Sequence, residues 1–134
     1  MDAISFFESL KPGDWDKPVT KLWKVKDVLS HLVGWEREVA EKLPMAWENG
    51  EDPWFMDTDN YDDFNAQIYE EYKDFSPSQL LAELKEWQDV LNEEIDKIGE
   101  DEVRQSNYSE WVFDEGRESH SEHHIKQIRF ALSL

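Results

Sequence analysis

Apolar positions recur at the helical period from residue 25 onward: Val25, Val28, Leu29, Leu32, Val39, Ala40, Leu43 and Trp47 fall on one stripe. Apolar residues three and four apart build one face of a helix. A long amphipathic helix is therefore predicted over residues 24–47, with Pro44 expected to kink its final turn. A short opening helix is predicted over residues 2–10, closed by Pro12 and Gly13, which together favour a turn. Residues 50–60 carry Pro53 and then Trp54, Phe55 and Met56 among aspartates, with no usable period, and read as a loop. Phe64, Ile68 and Tyr72 return at four-residue spacing, which predicts a helix within residues 62–74.

Ser76-Pro-Ser-Gln79 combines an N-cap serine, a proline at the first helical position and a capping-box glutamine. It opens a helix predicted over residues 77–98, with Leu80, Leu84, Trp87, Leu91, Ile95 and Ile98 on one side and Gly99 as its stop. Residues 99–117 form an acidic connection containing Tyr108, Trp111 and Phe113, long enough to be a crossover that also covers a site. A last helix is predicted over residues 118–134. Four long helical segments with apolar stripes, and no competing β-period, predict an all-α four-helix bundle with a long crossover before the last helix.

Composition narrows the function classes. The 134 residues, with seven Trp, seven Phe and four Tyr, suit one domain spanning 1–134 with a sizeable core. A formal net charge of −18, from 32 acidic against 14 basic residues, repels a phosphate backbone, so no nucleic acid is expected as a partner. The lysines from Lys11 to Lys26 are interrupted by Asp14 and Asp16 and include no arginine, so they make no recognition arm. Most of the acidic residues read as solvated helix faces and loops. Cysteine is absent, which excludes disulfides, thiolate ligands and a cysteine nucleophile; any thiol chemistry must use a sulfur from the substrate. No apolar run approaches the roughly 20 residues of a membrane span and no leader pattern is present, so no membrane is expected and a cytoplasmic location is.

The candidate chemistry lies in the histidines. His120 and His124 are four apart, on the stripe that continues to Ile128 and Leu132. On a helix such residues are neighbours, with Cβ atoms about 5–6 Å apart, so both imidazoles can reach one ion. His31 lies within a turn of Val28 and Trp35 and is the expected third ligand. Three neutral imidazoles projecting into a bundle make an open, catalytic type of site with positions left for water or substrate. Without thiolates, zinc, nickel and ferrous iron all fit. Ser121 follows His120 where a zinc-protease motif requires Glu, and Glu122, about 200° further round the helix, is expected to face away from the pair. His123 reads as a surface or supporting residue, and Asp27, one turn before His31, as a candidate acceptor for that ring's second N–H.

Trp23-Lys-Val-Lys-Asp-Val-Leu-Ser-His-Leu-Val-Gly-Trp-Glu36, followed downstream by Ser119-His-Ser-Glu-His-His-Ile-Lys-Gln-Ile128, resembles the DinB/YfiT-like superfamily of small bacterial helical bundles. Asp63-Phe-Asn-Ala-Gln67 and the Ser-Pro-capped helix ending near Ile98-Gly-Glu-Asp-Glu102 resemble its central helices, so the likeness runs over about residues 8–132. It implies a four-helix bundle, dimeric in many members, with a divalent metal on one histidine of the second helix and an HxxxH pair of the last. By motif these are His31, His120 and His124. It also implies a metal-dependent enzyme, either a thiol-dependent transferase or isomerase using a low-molecular-weight thiol, or a hydrolase. The chain departs from the pattern in its short first helix, which leaves one wall of the bundle to be completed by a partner chain or left incomplete.

Two functions from different classes follow. In the first, a divalent ion on His31, His120 and His124 activates a thiol, or water in the hydrolase version, with Trp54 and Trp111 shaping a pocket for a small-molecule substrate. In the second, the chain is a non-catalytic acidic helical module that binds a basic protein partner, and the histidines are structural.

Overall fold

A computed structural model of the chain describes residues 3–113 and 120–133. Helices account for all the regular structure among these residues apart from one isolated bridge between Pro18 and Lys24. They are α1 (Ala3–Glu8), α2 (Val25–Asn49), α3 (Asp62–Tyr72), α4 (Pro77–Ile98), α5 (Glu100–Arg104), α6 (Ser109–Phe113) and α7 (His120–Leu132). Short 3-10 turns occupy Pro12–Asp14 and Trp54–Met56.

The architecture is a helical bundle. Helix α2 is its spine: Val25, Val28, Leu29 and Val33 are fully buried, and the helix packs along α4 and α3. From α4 come Leu80, Leu84, Leu91 and Ile95; from α3, Ile68 and Tyr72; from α7, Ile125 and Ile128. Each large aliphatic side chain so buried is worth about 1.5–3 kcal/mol. At Gly34 of α2 the Ile68 side chain of α3 packs so closely on the backbone that a Cβ would lie 2.5 Å from it.

The helix boundaries have local causes. Helix α4 begins as the sequence predicts: the Ser76 hydroxyl accepts the Gln79 backbone N–H at 3.1 Å, and the Gln79 side-chain oxygen accepts the Ser76 N–H at 2.8 Å. Helix α2 continues through Pro44 to Asn49, two residues beyond the expected end, and stops where Gly50 adopts φ +70° and donates its N–H to Ala46 O. Only the left-handed region closes the helix this way, which suits glycine.

The first helix is short, as expected, yet it is part of the bundle. Phe6 and Phe7 are buried, α1 touches α4 and α7, and the Arg129 guanidinium lies 5.0 Å from the centre of the Phe6 ring. The acidic connection contains two short helices, α5 and α6, where no element was predicted. The predicted ends of the last helix, residues 118–119 and 134, lie outside the described residues, as does part of the expected first helix, residue 2. No described helix is long and apolar enough to cross a membrane.

Candidate metal centre

His31 comes from the second turn of α2, on the edge of its buried face, while His120 and His124 occupy the first turns of α7. The fold brings all three rings together, with centroids 4.8 Å apart for His31–His120, 4.8 Å for His31–His124 and 4.6 Å for His120–His124. His120 Nε2 lies 2.9 Å from His31 Nε2 and 3.0 Å from His124 Nε2. His31 and His124 are buried, whereas His120 is exposed, contrary to the expectation that all three face the core.

The remaining ring nitrogens show how the set is oriented. His124 Nδ1 lies 2.8 Å from Gln127 Oε1. The amide oxygen only accepts, so Nδ1 carries the proton and Nε2 keeps its lone pair. His31 Nδ1 is buried near the Asn65 side chain, without a well-formed hydrogen bond among the described residues. Burial above all, with the neighbouring His120 and His124 rings, pushes the His31 pKa from 6.5 down to about 2, against a smaller opposing effect of Asn65. His31 is therefore a neutral ligand-type imidazole across the physiological range.

This arrangement fits a cation better than a hydrogen-bonded cluster. A neutral imidazole nitrogen has either one proton or one lone pair, so His120 Nε2 can satisfy only one of its two close neighbours at a time. Ligand nitrogens held about 2.0–2.1 Å from one ion, at angles between octahedral and tetrahedral, stand about 2.9–3.4 Å apart. The separations of 2.9 and 3.0 Å lie within that range. The three residues can thus hold a metal ion, their candidate ligand atoms all lying within 4.8 Å of one another.

Two supports differ from the sequence reading. The Asp27 carboxylate accepts the Lys24 backbone N–H at 2.9 Å and so caps α2; it is not the acceptor for His31. An Asp three residues into a helix, beside free backbone donors, is drawn to the cap. Gln127, which the sequence reading did not single out, is the orienting residue, and its position one turn after His124 was the available signal. Trp23 was also missed as a site residue: its ring sits 4.8 Å from that of His31 and 6.4 Å from that of His124. His123 is exposed, with its ring 5.4 Å from that of His124.

A cavity of about 780 Å³ opens beside His31 and His120. Its apolar wall includes Leu84, Leu91 and Ile95 of α4 and Val39 of α2, and Trp35 and Trp111 also line it. Trp35 is held in place by its indole N–H, which donates to Asn65 Oδ1 at 3.0 Å. It stacks on Trp111 at 5.9 Å and on Trp54 at 6.0 Å. Trp111 therefore shapes the pocket as expected, but Trp54 does not line it: its indole N–H donates to buried Glu38 at 2.8 Å, behind Trp35. Helix α6 supplies Glu110, Trp111, Val112 and Phe113 to the lining, so the described part of the crossover does cover the site. Glu122, expected to face away, also lines the cavity, because the cavity reaches round the exposed start of α7 beyond the histidine stripe.

A sequence model of the mycothiol maleylpyruvate isomerase N-terminal domain family matches residues 2–110. The match includes His31 and stops before His120 and His124. No curated protein and no solved structure matches the chain.

Proposed function

The chain belongs to the mycothiol maleylpyruvate isomerase N-terminal domain family, whose fold is DinB-like, and from that premise we propose that it is a metal-dependent enzyme acting with a low-molecular-weight thiol. His31, His120 and His124 hold a divalent ion, and the adjoining cavity takes the small-molecule substrate. The observation that carries this reading is the convergence of three imidazoles, two Nε2···Nε2 separations of 2.9 and 3.0 Å, at the wall of a cavity of about 780 Å³.

The bound ion supplies Lewis acidity, which favours the ionised form of a thiol or water brought against it. The rest is the work of the chain. Gln127 fixes the His124 tautomer so that its lone pair points at the shared centre. Burial keeps His31 unprotonated, so no proton has to leave it before it can act as a ligand. Trp23 covers the side of the His31 and His124 rings, and Trp35 and Trp111 give the cavity a rigid aromatic wall. The family description includes a thiol, mycothiol, and this favours thiol activation over water activation. With no cysteine of its own, the chain depends on a sulfur delivered by the substrate.

The test begins with elemental analysis of the chain beside His31→Ala and His124→Ala variants, each reloaded separately with zinc and nickel and then desalted. About one ion per chain, lost in both variants, is the result expected from a three-ligand site. Thiol consumption against an electrophile, with and without chelator, then separates transfer from hydrolysis. A parent chain that retains no ion would overturn the reading and favour the acidic module that binds a basic protein.

A further inference from the structure

His31 and Trp35 stand one turn apart on α2 and share a neighbour on α3, Asn65. Helix packing sets this up, because Ile68, three residues after Asn65, seats on Gly34, which lies between His31 and Trp35 in the chain. The Trp35 indole N–H donates to Asn65 Oδ1 at 3.0 Å. An indole nitrogen only donates, so it decides how the amide is turned: the Asn65 NH2 in that place would set donor against donor. The amide oxygen keeps a second lone pair. His31 Nδ1, buried and lacking a well-formed hydrogen bond among the described residues, lies near this amide, which acts on the ring as an acceptor does. Loose alignment of this kind is common in unliganded sites and tightens when the ligand binds. An acceptor facing Nδ1 keeps the proton there and leaves the lone pair on Nε2, the nitrogen 2.9 Å from His120 Nε2 at the shared centre.

We propose that Asn65 is a positioning residue for the metal centre: its amide oxygen, turned by Trp35, accepts the His31 Nδ1–H and so aims the Nε2 lone pair at the point the three histidines share. The inference rests on the metal reading of those histidines and adds what orients the ligand from α2, as Gln127 orients one from α7. Asp27 is engaged at the start of α2, so the role falls to α3. The same amide joins the ligand to the cavity, since Trp35 and Asn65 both line it.

The tautomer is read in the full chain, isotopically labelled at histidine nitrogen and freed of metal by chelator. Long-range proton–nitrogen NMR spectra at neutral pH separate the protonated nitrogen of a neutral ring from the bare one, and the His31→Ala spectrum assigns the His31 signals. The parent is expected to carry the His31 proton on Nδ1, Asn65→Leu to lose that preference, and Asn65→Asp, which keeps an acceptor in place, to restore it. Zinc affinity, from competition with a chromophoric chelator, is expected to fall about 10–100-fold in Asn65→Leu and to stay near the parent's in Asn65→Asp. Damaged packing alone would lower the affinity without moving the proton. A His31 proton on Nε2 in the parent overturns the inference with no variant needed. An Asn65→Leu chain that keeps either the parent's tautomer or its zinc affinity also overturns it. Where that variant does not fold, Trp35→Phe, which frees the amide to turn, is read in the same way. A parent that binds no zinc overturns the metal reading and this inference with it, whereas zinc binding with an unmoved proton overturns this inference alone.

Discussion

Gln127 Oε1 lies 2.8 Å from His124 Nδ1, one helical turn along α7, and so decides which nitrogen of that ring carries its proton. Supporting contacts of this kind typically change metal affinity by about 10–100-fold when removed. Gln127→Leu, which keeps the volume and loses the acceptor, is expected to weaken zinc binding within that range, and Gln127→Glu to retain it. Competition titration against a chromophoric chelator measures both. Equal affinity in Gln127→Leu and the parent would show that the contact does not orient the ligand.

Metal binding is expected to stabilise the folded chain. A ligand that binds only the folded state at about 100 times its dissociation constant adds roughly 2.7 kcal/mol. Zinc should therefore raise the thermal midpoint of the parent, chelator should reverse the rise, and His124→Ala should show neither effect. Differential scanning calorimetry at matched protein concentration tests this.

A third expectation concerns Gly34. A Cβ there would meet Ile68 Cδ1 and Cγ1 at 2.5 Å and Cγ2 at 2.7 Å, and Ile68 is itself buried, so its side chain must shift within the core. Alanine gains about 1 kcal/mol of helix propensity over glycine, yet overpacking costs about 1–3 kcal/mol. Gly34→Ala is predicted to be net destabilising by about 1 kcal/mol. Combining it with Ile68→Val should cost less than the sum of the two single changes. Denaturant unfolding of the four proteins in the cycle gives the answer.

The Tyr72 hydroxyl is raised from 10.0 to about 12, chiefly by burial, although Arg37, whose guanidinium donates to it at 2.8 Å, works in the other direction. Between those two values the unfolded chain has lost the phenolic proton and the folded chain has kept it. Stability from this group is thus complete below pH 10 and is lost as the pH rises toward 12. The parent is expected to lose its urea midpoint more steeply over that window than Tyr72→Phe, which has no phenolic proton. Parallel slopes would show that Tyr72 ionises normally.

Local signals carried much of the fold in the sequence. Ser76 and Gln79 satisfy each other's backbone donors within one turn, so the start of α4 is written in four consecutive residues. The stripe from Val25 to Leu43 has one solution, a helix with that side buried against α4. His120 and His124 were legible for the same reason, since a spacing of four fixes their neighbourhood whatever surrounds the helix. What escaped depends on contacts between distant segments or on a choice between partners. Asp27 had two plausible acceptor roles one turn apart, and the free N–H groups at the start of α2 prevailed over His31. Trp54 and Trp111 look alike in sequence, but only the packing about Trp35 sends one to the cavity and the other to Glu38. Helices α5 and α6, five residues each, are too short to show a period.

His31 and His120 are separated by 89 positions along the chain and meet at the same point. In a protein without cysteine, an ion held there would be a reversible cross-link, tying the last helix to the spine of the bundle across most of the polypeptide. Docking of that helix on the spine would then follow metal supply, so that availability of the ion sets how firmly α7 is held against α2.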